Sequence, residues 1–201
     1  MSLASVLDRI TALNAVAGPA AATPAPTIPP TAAAPTGGPA RASFSEALTN
    51  AQPAPPGNEG IVKTATAEVG QVEEPPGSND SGRIAQYRSA VPGGPVGPWC
   101  AYFASWVAKE NGKPLGDRGQ GFARVDDVYA WAQRTGRALP NGPGVQPQPG
   151  DLIIWDEHMG IVESVGPDGT ITTVEGNSSD SVARRQHDKN GDGAIGYVSM
   201  R

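Results

Sequence analysis

The sequence predicts an α+β fold in which N-terminal helices pack on a C-terminal antiparallel β-sheet. Three observations carry that prediction. Apolar residues recur at helical spacing from Asn58 to Gly136, β-rich runs follow Gln148-Pro149-Gly150, and tight turn signals separate most of those runs. All four Trp and all four Tyr lie beyond residue 57, so the material for a core begins near residue 58.

Taken in order, Ile61, Ala65 and Val69 line one helix face, with Gly70 as its stop. Asp80 or Ser81 caps a second helix running to Ala90, with Ile84 and Tyr87 inward. Pro98 suits the first position of a third helix, which places Cys100 in its first turn and ends at Glu110 before Asn111-Gly112. A fourth helix, Val125 to Arg134, buries Val128, Tyr129 and Trp131. The strands read as 152–155, 158–165, 170–176, 182–186 and 194–198, an antiparallel meander.

The first 57 residues are different in kind. Leu3, Val6, Leu7, Ile10, Leu13 and Ala17 predict a short amphipathic helix over 1–17, and 18–57 is an Ala/Pro-rich linker holding 10 of the 21 prolines, expected to be disordered. Its island around Phe44 and Leu48 resembles the short helices near the ends of flagellar axial proteins. Residues 58–201 form the remaining domain and carry the net charge of −5, since Arg9 and Arg41 balance Asp8 and Glu46.

Several classes are excluded. There is no basic stripe for nucleic acid, no apolar run of membrane-spanning length, and the lone cysteine makes no internal disulfide. With two histidines in all, a structural zinc site is not expected. Asp188-x-Asn190-x-Asp192-Gly193 copies the first half of an EF-hand loop, but position twelve is Ser199, so it reads as a polar turn; no metal or other cofactor is expected.

Cys100 leaves two readings open, a small apolar filler or a nucleophile at a helix start, where the unpaired N–H groups and the helix dipole favour a thiolate. A hairpin argument bears on the choice. Gly166-Pro167-Asp168-Gly169 is a strong turn, and pairing Val165 with Thr170 sets His158 opposite Asn177, with Glu175 a diagonal neighbour about 7 Å away. His158, Glu175 and Asn177 thus meet on one patch of sheet. An imidazole with a carboxylate behind it, facing a thiol, is what an activated sulfur nucleophile requires. His187, beside an acidic turn, is expected to be solvated, as are Asp156 and Glu157.

The segments Trp99 to Val107, Pro149 to Ile153, His158 to Glu163, Glu175-Gly176-Asn177 and Gly196 to Val198, in that order, resemble the CHAP domain. This is the cysteine, histidine-dependent amidohydrolase/peptidase group of the papain-like NlpC/P60 superfamily. The resemblance implies a papain-like fold with Cys100 as nucleophile, His158 as base, Glu175 as orienting carboxylate and Asn177 assisting. It also implies an oxyanion donor at the Cys100 N–H. Trp99 and Trp155 are candidate substrate contacts, with core packing as the other reading of Trp99.

The implied activity is hydrolysis of a peptidoglycan amide, either N-acetylmuramoyl-L-alanine or a peptide crosslink, by a monomer acting at the bacterial wall, periplasm or outside the cell. No Sec signal is evident, so delivery falls to phage lysis or specialised export, with the 1–17 helix as the contact to a flagellar or other export apparatus. The alternative is a wall-binding component of such an apparatus with little or no turnover.

Overall fold

Helices precede strands in the computed structural model, which describes residues 58–201. The expected 1–17 helix and 18–57 linker, and the export contact drawn from them, lie outside the described residues. Within these residues the helices are α1 (Glu59–Ala67), α2 (Gly82–Arg88), α3 (Cys100–Glu110) and α4 (Val125–Arg134). The strands are β1 (Ala138–Pro140), β2 (Leu152–Ile154), β3 (Met159–Val165), β4 (Ile171–Glu175), β5 (Ala183–His187) and β6 (Gly196–Val198).

Local chemistry accounts for the helix ends. Ser81 accepts the Ile84 N–H and starts α2, while α1 stops at Ala67, leaving Val69 exposed. The third helix begins two residues after Pro98, not at it, with Trp99 as N-cap and Cys100 at the first helical position. It is the central helix of the core. Phe103, Val107 and Ala108 are among its buried residues, and Tyr87 of α2 packs edge-on against Phe103 at 5.2 Å.

All six strands pair antiparallel in the order β1-β6-β2-β3-β4-β5. This α+β sheet departs from a simple meander, because β6 crosses back to pair with β2 and with the unexpected edge strand β1. Alternation gives the sheet two apolar faces. Leu152, Ile154, Met159, Ile161 and Val174 pack under the helices; Ile153, Val162, Ile171 and Tyr197 form a second, smaller cluster on the other side. Each such buried side chain contributes roughly 1.5–3 kcal/mol.

The β3–β4 hairpin closes differently from expectation at its turn, where Val165 faces Ile171 in place of Thr170. A bulge between Val162 and Ser164 then absorbs the one-residue difference. Val162 faces Thr173 and Ile161 faces Val174, which is the register expected from the turn.

Candidate active site

Three segments converge near the start of α3. Its first turn has no side-chain cap, so the N–H groups there are not occupied by a neighbouring side chain. The end of β4 reaches this point because Gly176 carries no side chain: a β-carbon there would lie 2.6 Å from Cβ of Phe103 and 2.9 Å from Cζ3 of Trp99. The third segment is the tight β2–β3 turn, closed by the Trp155 N–H donating to the His158 carbonyl at 2.8 Å.

His158 and Glu175 form the centre of the cluster, with Nε2 of the imidazole 2.9 Å from Oε2 of the carboxylate. The carboxylate side chain is only 4% exposed, against 32% for the ring. Burial alone would strip the proton from His158, but the adjacent Cys100 sulfur and Glu175 outweigh it and raise the pKa to about 9. Burial likewise opposes charge on Glu175, yet donors from His158, Thr173 and His187 hold its pKa down to about 2. The ring and the carboxylate are therefore both charged at neutral pH.

Cys100 is 5% exposed and lines a cleft of about 380 Å³, together with Pro98, Arg124, Asp126, Asp156 and Glu157. Asp156 and Glu157 are exposed turn residues, as expected, and stand on the rim of this cleft.

Trp99 and His187 depart from expectation. Trp99 is fully buried and donates its indole N–H to Glu73 at 2.8 Å, so it belongs to the core and cannot touch a substrate. Trp155 is half-buried; its ring stacks on His158 at 5.7 Å and its N–H binds the Gly191 carbonyl at 2.7 Å, which makes it a brace for the histidine. Asn177 lies beyond the end of β4 in a left-handed conformation (φ 57°), and the imidazole hydrogen-bonds Glu175.

His187 is not solvated. Its side chain is 13% exposed, with Nε2 2.8 Å from Glu175 Oε1 and Nδ1 2.9 Å from Asp192 Oδ2. The β4–β5 pairing carries the missing signal, because Ala183 opposite Glu175 sets residues 183, 185 and 187 on the carboxylate's face. In the Asp188–Asp192 loop, Asp188 Oδ1 accepts the N–H groups of Asn190 and Asp192, which makes it a turn tied by its own carboxylates.

Neither the curated proteins nor the solved structures gave a match to this chain. A family model does: it covers Val91 to Asn177, a span that includes Cys100, His158 and Glu175. That model is the CHAP domain, and its match spans residues 91–177.

Proposed function

We propose that residues 58–201 form a cysteine-dependent amidohydrolase or peptidase that cuts an amide bond of peptidoglycan, with Cys100 as nucleophile, His158 as acid and base, and Glu175 as the group that orients the imidazole. A CHAP domain implies a peptidoglycan hydrolase or amidase-like function in general terms. The observation that carries the specific reading is the His158 ring, held by Glu175 at 2.9 Å and charged through its neighbours Cys100 and Glu175, beside a cleft that Cys100 lines.

The course follows from which atoms are engaged. With Nε2 of His158 bound to Glu175, Nδ1 is the nitrogen left for the sulfur. The thiolate adds to the carbonyl carbon, and the oxyanion lies against the free N–H of Cys100 at the helix start. The C–N bond then breaks as imidazolium gives its proton to the leaving amine, leaving a thioester. Water attacks that thioester while neutral His158 takes its proton, releasing the carboxylic acid and restoring the thiolate–imidazolium pair. Glu175 keeps its proton off throughout and stabilises the charged ring.

Purified sacculi incubated with the protein, beside Cys100→Ala, test the reading. Muropeptides analysed by mass spectrometry should show either new L-alanine N-termini or cleaved crosslinks; products no different from the Cys100→Ala control would leave a wall-binding domain without turnover.

A further inference from the structure

We infer that His187, fixed by Asp192, is a positioning residue for Glu175, so that the turn Asp188–Gly193 sets the geometry of the catalytic pair from behind. The inference rests on the function proposed above.

The Glu175 carboxylate has one oxygen for each side of the site. Oε2 faces His158 at 2.9 Å, and Oε1 receives Thr173 Oγ1 at 2.6 Å and faces His187 Nε2 at 2.8 Å. The terminal torsion of a glutamate is broad, so without partners on Oε1 the carboxylate is free to swing away from the imidazole. Thr173 supplies one donor from the same strand. His187 supplies the second from the neighbouring strand, which fixes the plane as well as the position.

The ring that does this is itself held on three sides. Nδ1 lies 2.9 Å from Asp192 Oδ2, Trp155 packs on the ring at 4.8 Å, and Thr173 Oγ1 is 3.2 Å from Nε2. Carboxylates only accept hydrogen bonds, so both ring nitrogens serve Glu175 and Asp192 as donors when the ring carries both protons. Asp192 is locked in turn: its Oδ1 accepts the Asp188 N–H at 3.1 Å, and its own N–H reaches Asp188 Oδ1 at 3.0 Å.

The same turn reaches the catalytic histidine by a second route, since the Gly191 carbonyl accepts the indole N–H of Trp155, whose ring stacks on His158. One short turn therefore braces the imidazole and the carboxylate together. Its internal hydrogen bonds, between Asp188, Asn190 and Asp192, are made without His187.

His187→Leu, His187→Gln and Asp192→Asn are to be compared in the full chain and in a Glu175→Gln background. If His187 acts through Glu175, His187→Leu lowers kcat by about ten- to a hundredfold at nearly constant KM. Gln, which keeps one donor, restores part of it, Asp192→Asn gives a smaller loss, and His187→Leu costs nothing further once Glu175 is Gln. Equal losses in both backgrounds would mark a structural residue and overturn the inference.

An arm independent of turnover uses the fact that the chain has two histidines. NMR of the labelled rings should show the His158 titration fall in His187→Leu, from about 9 toward the ordinary 6.5. A midpoint that stays put or rises refutes the positioning role. If wild type releases nothing from sacculi, the enzymatic reading fails while this titration still decides the role of His187.

Discussion

Gly160 lies across the hairpin from Glu175, and the space its missing β-carbon would fill is occupied by that side chain: Glu175 Cγ would be 2.8 Å away. Thr173 Cβ and Ile153 Cγ2, at 3.5 and 3.4 Å, close the other sides. Gly160→Ala should therefore displace the carboxylate from His158. We expect a loss of about tenfold or more in kcat with KM little changed, and a destabilisation of about 1–3 kcal/mol, read by steady-state kinetics and denaturant melts of one preparation.

Removing the sulfur or the imidazole should stop the reaction, whereas removing only the orienting charge should not. Cys100→Ala and His158→Ala are expected to lower turnover to background, and Glu175→Gln to leave measurable residual activity. Similar rates for the three variants would contradict the roles assigned to them.

The alkaline limb of kcat/KM should fall near pH 9, where His158 loses the proton that the leaving amine needs. Glu175→Gln removes one of the two groups that raise that pKa, so the limb should move toward pH 6.5. A limb that stays fixed in the variant would detach it from His158.

Folding stability should carry the same pair with opposite signs at the two ends of the pH range. The His158 pKa is raised, so its contribution is complete below about 6.5 and is lost as pH rises through about 9. That of Glu175 is lowered, so its contribution is complete above about 4.5 and fades as pH falls toward 2. The Tm difference between wild type and Glu175→Gln should peak between these limits, at about pH 4.5 to 6.5, and shrink on either side.

Glu73 should prove a stability residue at a distance from the chemistry. It is 3% exposed and accepts the Trp99 indole N–H at 2.8 Å and the Asn79 N–H at 2.7 Å, tying the 73–80 loop to the N-cap of α3. Glu73→Ala strands both donors at about 1–3 kcal/mol each and should lower Tm by roughly 5 °C or more. Glu73→Gln keeps one of the two acceptor oxygens and should recover only part of that loss.

Much of this site could be read before any coordinates. The helix at Cys100 was legible from its flanking proline and apolar spacing, and the approach of His158 to Glu175 from a single turn signal and strand alternation. What escaped depends on strand order. β1 is three residues ending in Pro140, too short for a pattern, and it exists because β6 offers it a partner. His187 lies next to Asp188, which suggests solvent; only the pairing of β5 with β4 turns its ring toward Glu175. Trp99, an aromatic beside Cys100, leaves groove wall and core both open in the sequence, and the buried Glu73 acceptor makes the core the better place for its N–H.

The unpaired residue in the β3 bulge lets the far end of the hairpin differ in spacing from the end that holds the histidine. Glu163, which supplies that extra residue and pairs with Arg184 at the surface, can in principle be deleted: β3 would straighten, and positions 158 and 175 would keep their partners. The length of β3 between Val162 and the Gly166–Thr170 tip is thus adjustable by one residue without re-aiming the chemistry.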